Sequence, residues 1–299
     1  MLTLAAADQR PLPPWSPGAH IDIELPSGLR RQYSLCGDVG DSTSYQIAVL
    51  LQPHGRGGSV EIHDQVRVGM LLGTKAPRNN FPLIDAEHYL LLAGGIGITP
   101  LLPMVRELQS MGKQWQLIYG ARTRAGLVFG EGLMRLAPDR VHLSDQESDG
   151  LIDIPGALSQ LVPGTAVYAC GPNGLIDAAK ASTSMHADSS FHCERFVPAA
   201  GPNGEGSTDV PIPFEVEINS TGEVLTIDAD ESILDVVERF VPQIDYSCRE
   251  GICGTCEVGL LGGTPEHLDS VLTDDERASG DSIMICVSRS KGDRLVLDL

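Results

Sequence analysis

The sequence predicts a multidomain protein: an antiparallel β-barrel, then an α/β domain on a parallel sheet, then a β-grasp (α+β) domain. Three observations carry that prediction. At 299 residues the chain exceeds one ordinary core, since single domains cluster near about 100–150 residues. Short alternating segments divided by turns, in a chain with 33 Gly and 20 Pro, give way near residue 84 to a continuous apolar run followed by helical periodicity. A stretch rich in Ala, Gly, Pro, Asn and Ser then precedes a second alternating region. The boundaries read from these changes are 1–83, 84–197, a linker at 198–212, and 213–299.

Hydrophobic residues make up 42% of the chain, enough to fill real cores. No apolar run approaches the roughly 18 residues of a membrane span, and Met1-Leu2-Thr3-Leu4 places no basic segment ahead of an apolar one. A cytoplasmic location without a membrane partner is therefore expected. The net charge of −19 argues against nucleic acid and anionic lipid as partners. Residues 213–299 hold 19 acidic against 6 basic residues, a net −13. That excess is either a solvated acidic surface or a docking face for a positively charged acceptor.

In the first region Ile21–Leu25, Gln32–Leu35 and Tyr45–Leu51 alternate as short strands around turns such as Pro26-Ser27-Gly28, the pattern of a small antiparallel barrel. Arg31-Gln32-Tyr33-Ser34-Leu35 sets a cation, a phenol and a hydroxyl along one strand. It is similar to a flavin-contacting motif of the ferredoxin reductase superfamily, in which the Tyr and Ser meet the ring and the Arg the phosphate. Gly55-Arg56-Gly57-Gly58-Ser59 adds glycines that expose backbone N–H groups, with a charge and a hydroxyl beside them. This is the equipment of an anion nest, and after Arg-x-Tyr-Ser it reads as the flavin phosphate site.

In the second region the apolar strand Tyr89–Ala93 leads directly into Gly94-Gly95-Ile96-Gly97-Ile98-Thr99-Pro100. Thr99 is a suitable N-cap and Pro100 a suitable first helical residue, so a helix is expected from there through Leu108. Strand, glycine-rich turn and helix form a nucleotide cradle. Further strands at Trp115–Tyr119, Val141–Leu143 and Val167–Cys170 support a parallel sheet, with Phe191–Phe196 as its last member. Cys170-Gly171-Pro172 stands at a strand's carboxyl end, where ligands sit in open α/β sheets, and contact between Cys170 and a nicotinamide is expected. Arg122 and Arg124 are open to three roles: a 2′-phosphate, the pyrophosphate, or solvent. Phe196 is open to two, beside the flavin or within the core.

In the third region Phe214–Ile218 and Glu223–Ile227 read as a hairpin, Ser232–Val237 as a short helix and Glu257–Leu260 as a strand, with Met284–Val287 bringing in the last cysteine. Between them lies Cys248-Arg249-Glu250-Gly251-Ile252-Cys253-Gly254-Thr255-Cys256, followed by Cys286. This C-x4-C-x2-C…C spacing is that of a plant-type [2Fe–2S] cluster held by four thiolates. A zinc site normally pairs two C-x2-C or His-containing knuckles, and no second pair accompanies Cys253 and Cys256. Disulfide frameworks belong to small secreted chains. His63 and His267 have no partners at metal-ligand spacing and read as packing or surface residues.

Arg31–Leu35, Gly55–Ser59, Pro77-Arg78-Asn79-Asn80-Phe81-Pro82-Leu83, Gly94–Pro100, Cys170-Gly171-Pro172 and Leu295–Leu299 together resemble the phthalate dioxygenase reductase family, which includes the vanillate demethylase reductases. The resemblance covers nearly the whole chain. It implies FMN, NADH as donor and a Rieske-type terminal oxygenase, acting on an aromatic substrate, as acceptor. It places Arg31, Tyr33, Ser34, Leu35, Ala48, Val49, Leu50, Gly55, Arg56, Gly57, Gly58 and Ser59 at FMN. Gly94, Gly95, Gly97, Pro100, Arg122, Cys170, Gly171 and Pro172 fall at the nucleotide, and Thr99 near both. Ser34, Thr99, Cys170 and Phe196 become the candidates nearest the chemistry. Two departures stand out: Leu50 occupies a position where relatives often carry Lys, and the chain opens inside the expected first barrel strand, from which weak FMN retention is expected. The same relay serving a cytochrome P450 or a quaternary-amine oxygenase is the alternative enzyme reading, and a redox-sensing iron–sulfur module the alternative from another class.

Overall fold

Alternating residues at the start of the chain give two small antiparallel sheets. In a computed structural model that describes residues 1–198 and 212–299, β1 (Leu2–Ala5) pairs with β4 (Ser44–Ile47), and β2 (His20–Glu24) pairs with β3 (Arg30–Ser34) and β5 (Gly73–Thr74). A bridge between Leu35 and Ile47 joins the sheets around Ile21, Ile23, Leu35, Tyr45 and Ile47, closing the barrel core. The strand expected over Tyr45–Leu51 stops at Ile47, because its ladder with β1 ends at Leu2. Leu50 is consequently exposed. Gly58 and Ser59 open a helix not expected from the sequence, α1 (Gly58–Gln65), whose N-cap Gly57 takes the left-handed conformation.

Five parallel strands form the next sheet: β6 (His88–Gly94), β7 (Gln114–Ala121), β8 (Val141–Asp145), β9 (Thr165–Cys170) and β10 (Ser190–Glu194), in the order β10-β9-β6-β7-β8. Successive residues of β6 face opposite sides. Leu91 joins a core with Leu101, Met104, Tyr119 and Tyr168, while Leu90 and Leu92 join one with Leu158, Val167 and Ile176. The helices are α2 (Ile98–Ser110), α3 (Gly130–Leu136), α4 (Gln146–Asp149), α5 (Ile154–Leu158) and α6 (Asn173–Thr183). The helix expected to start at Thr99 and Pro100 begins sooner. A single 3₁₀ turn over Gly95–Gly97 runs into α2, so Thr99 lies inside the first turn and its hydroxyl donates to Ile96 O at 2.9 Å instead of capping.

These two sheet systems share one compact unit, Met1–Phe196, and Val197–Leu299 form a second. Apart from its end residues 198 and 212, the expected linker lies outside the described residues. The second unit contains β11 (Phe214–Ile218), β12 (Glu223–Ile227), α7 (Ile233–Val237), β13 (Glu257–Gly262), β14 (Pro265–Glu266), α8 (Asp274–Ser279), β15 (Ser282–Met284), β16 (Arg289–Ser290) and β17 (Arg294–Asp298). Its main sheet runs β12-β11-β17-β13-β15, with β14 and β16 pairing separately. Ser232 and Asp235 cap α7 reciprocally, as Thr273 and Glu276 cap α8. Among the described residues no helix is long and apolar enough to cross a membrane.

Candidate functional site

Strand β3 and the turn before α1 meet through Arg31. Its guanidinium donates to Arg30 O at 2.7 Å and to Arg56 O at 2.8 Å, joining residues 25 apart in sequence. Gly58 permits this, since a Cβ there would lie 2.7 Å from Arg31 Cγ and Nε. No side chain caps the first turn of α1, so its N–H groups and the two arginines present a positive end suited to a phosphate. Ser59 Oγ, 3.0 Å from Gln52 N, accepts from that amide. Tyr33 is half-buried, and burial pushes its phenol up to about 12, with Arg31 opposing. Ala48 and Val49 are half-buried beyond the end of β4.

At the carboxyl edge of the parallel sheet, the turns after β6 and β9 cross backbone to backbone. A Cβ on Gly97 would meet Cys170 O at 2.3 Å, one on Gly94 would meet Pro172 Cδ at 2.5 Å, and one on Gly171 would meet Gly94 Cα at 2.8 Å. Only glycine fits such an approach. Both turns stand where the strand order reverses, between β6 and β9, the position at which open α/β sheets bind ligands. Cys170 is fully enclosed in the core and burial raises its thiol. Gly171 and Pro172 carry the exposed part of the turn. Pro100 is buried within α2, Arg122 is exposed just beyond β7, and Phe196 packs against the core that contains Cys36, Phe81 and Tyr168.

Ser34 and Glu194 bring the two halves together across 160 residues of sequence, Ser34 Oγ donating to Glu194 Oε2 at 3.2 Å. Glu194 ends β10 and lies beside Cys170 in register. Burial pushes its carboxyl up to about 8, opposed by the Ser34 hydrogen bond. The sequence reading missed Glu194. Its local context, Ser190-Phe191-His192-Cys193-Glu194-Arg195, carries no signal that marks it.

In the second unit all four cluster cysteines are buried, Cys253 and Cys256 most deeply. Cys248 contacts Cys253 and Cys286, and Cys256 contacts Cys286. Sharing protons across these contacts draws the Cys248 and Cys256 thiols down and pushes Cys253 and Cys286 up. Among the described residues no three such side chains converge on a single-ion site. Cys286 from the distant segment thus joins Cys248 and Cys256, and four thiolates so gathered are the donor set of a [2Fe–2S] cluster. Backbone N–H groups already point at sulfur, Glu250 N to Cys248 Sγ at 3.3 Å and Thr255 N to Cys253 Sγ at 3.5 Å. The donor set and these amides fit a [2Fe–2S] cluster. Three residues bend the loop with positive φ: Arg249, Gly251 and Gly254. Arg249 holds its strained position by pairing with Asp235 and Glu238 and lying over the Tyr246 ring at 4.2 Å. Cys286 falls in the turn after β15, which loses its partner β13 after Met284.

Flavin-type barrel, nucleotide sheet and iron–sulfur domain in one chain define a pyridine-nucleotide-dependent iron–sulfur reductase. Residues 91–181 match the oxidoreductase NAD-binding domain, and residues 216–291 the 2Fe-2S iron-sulfur cluster binding domain. The putative toluene-4-sulfonate monooxygenase system reductase subunit TsaB2 of Comamonas testosteroni is 44% identical, over 100% of this chain and 93% of its own. The structure of phthalate dioxygenase reductase is 35% identical with a TM-score of 0.70, over 99% of this chain and 92% of its own. A structure of a self-sufficient cytochrome P450 monooxygenase is 37% identical with a TM-score of 0.89, matched over 99% of this chain, which spans only 38% of that protein. The chain belongs to the phthalate dioxygenase reductase family. It is an oxidoreductase with NADH, FMN and a [2Fe–2S] cluster as its cofactors.

Proposed function

We propose that the protein takes a hydride from NADH onto FMN and passes electrons singly through the cluster to a Rieske-type terminal oxygenase or demethylase with an aromatic substrate, in the cytoplasm. FMN, when bound, supplies the change from two-electron to one-electron chemistry. The observation that carries this reading is the meeting of Ser34 with Glu194, which joins the barrel strand to the nucleotide edge of the sheet at 3.2 Å. Residues 1–83 would form the FMN domain, 84–197 the NAD domain, 198–212 the linker and 213–299 the ferredoxin domain. Arg31, Arg56, Gly57, Gly58 and Ser59 hold the phosphate. Tyr33, Ser34 and Leu35 orient the ring, with Ala48, Val49 and Leu50 along its border. Gly94, Gly95, Gly97, Thr99, Pro100, Gly171 and Pro172 shape the nucleotide turns, Cys170 supports them from beneath, and Arg122 meets the nucleotide's outer half. Phe196 shields the junction.

Anaerobic addition of NADH to the purified protein should bleach the flavin absorption and then the cluster bands. Bleaching confined to the flavin would refute the relay. Ser34→Ala should slow the flavin phase by about 100-fold while leaving the cluster spectrum as it is, a loss at the lower end for one positioned proton-handling group. A Rieske oxygenase as acceptor is supported by the family and by the aromatic substrate named for TsaB2. The likeness to the reductase portion of a P450 supports the second acceptor class. Turnover with a Rieske component against turnover with a P450 haem domain separates the two. The acidic second unit predicts salt-sensitive coupling: raising ionic strength from about 0.02 to 0.3 M should slow acceptor reduction about tenfold, and an unchanged rate would remove its docking role.

A further inference from the structure

Behind Ser34 and Glu194 lies a third buried polar side chain, His20. Strands β2 and β3 place it directly opposite Ser34, and an antiparallel bridge to Arg78, with bonds of 2.9 and 3.0 Å, fixes its backbone on the other side. Only 6% of its side chain is exposed, and 14% of Glu194's. The carboxyl group of Glu194 sits between two partners: Oε2 accepts from Ser34, while Oε1 lies 4.0 Å from His20 Nδ1.

From this geometry we infer that His20 exchanges a proton with Glu194 across their 4.0 Å gap, by way of one bridging water, and receives, through it, the proton released once both electrons of the hydride taken from NADH have moved on. The inference rests on the relay proposed above. Oxidising NADH to NAD⁺ removes a hydride, which amounts to one proton and two electrons. The electrons leave singly for the cluster and its acceptor, neither of which takes the proton, so a base near the hydride site must. A buried carboxyl held protonated near neutral pH cannot accept it unless it passes its own proton on, and the imidazole, at 4.0 Å too far for a direct hydrogen bond, takes it through one bridging water. His20 therefore acts through Glu194, as a positioning residue that also carries charge.

Charged and titratable groups surround the pair. On β2 the nearest charge is Asp22, which Arg78 engages at 2.8 Å, and β3 adds Arg31 and Tyr33. On β9 Cys170 is neutral, its thiol raised by burial, and on β10 Cys193 is likewise raised. Arg195, the cation next in sequence, turns its guanidinium to Asn173 and Asp177.

The test has two arms on full-length protein. In flavin-free protein, the His20 ring followed by NMR should titrate with a midpoint displaced in Glu194→Gln relative to wild type; an unmoved midpoint overturns the pairing. This arm needs no His20 variant and stands even where one fails to fold. In holoprotein mixed with NADH and excess one-electron acceptor, a pH-indicator dye reports proton release and flavin absorption reports hydride uptake. His20→Gln is expected to slow proton release about tenfold more than hydride uptake, and His20→Asn likewise. Equal slowing of both phases marks a merely structural residue and overturns the inference. Slow release in Glu194→Gln with normal release in His20→Gln overturns His20's part and leaves the Ser34–Glu194 relay standing. Normal release in both overturns the two together.

Discussion

Cys286→Ser abolishes electron delivery to any acceptor, by about 100-fold or more, while NADH still bleaches the flavin. The thiol touches both Cys248 and Cys256, so its loss removes the group through which the distant segment joins the loop cysteines. Perturbing groups that merely orient metal ligands costs about 10–100-fold, and removal of a ligand exceeds that. The first unit has its own cores, which keeps hydride uptake independent of the defect. Iron content, the cluster's visible spectrum and NADH-driven reduction of cytochrome c check the outcome together. Retention of a full cluster in the variant would show that the fourth ligand lies elsewhere.

Gly97→Ala removes NADH oxidation with nearly equal force by another route. Its Cβ would lie 2.3 Å from Cys170 O and 2.5 Å from Cys170 C, backbone atoms that no side-chain rotation relieves. Restoring ordinary contact needs the two turns to part by about an ångström, and a displacement of that size at a reacting site costs about 10²-fold in rate. Gly95 is the control. It has φ +55 but nothing within 4 Å of its Cβ position, so Gly95→Ala should lose about 1–2 kcal/mol of stability to left-handed strain and retain most of its rate. Stopped-flow reduction by NADH, set against reduction by dithionite, isolates the nucleotide step. Similar rates for the two variants would refute the interlocking of the turns.

Which features could be read from the sequence follows from how local their causes are. The cysteine spacing, the strand–glycine–helix turn and the Arg-x-Tyr-Ser strand each occupy a few consecutive residues, and each lands in the element expected of it. Thr99 misleads because a good N-cap residue was overtaken by a 3₁₀ turn that had already started the ladder. Leu50 misleads because strand length depends on a partner, and β1 ends opposite Ile47. Cys170 ends β9 as expected, with its side chain enclosed by register and packing. Glu194 and His20 escape notice for the same reason: each is an ordinary strand residue until the parallel sheet and the barrel meet, and no local pattern announces a contact across 160 residues.

Strand β17 is later in the chain than every strand beside it, yet it occupies the centre of its sheet, parallel to β11 and antiparallel to β13. During synthesis from the amino terminus, the halves of this domain therefore have nothing to close on until Arg294–Asp298 has emerged. Gly251 adds a second closure. A Cβ there would strike Val287 and crowd Asp269, so the cysteine loop seats only against segments made after it. A chain cut before Arg294 is therefore expected to oxidise NADH but not to hand the electrons on.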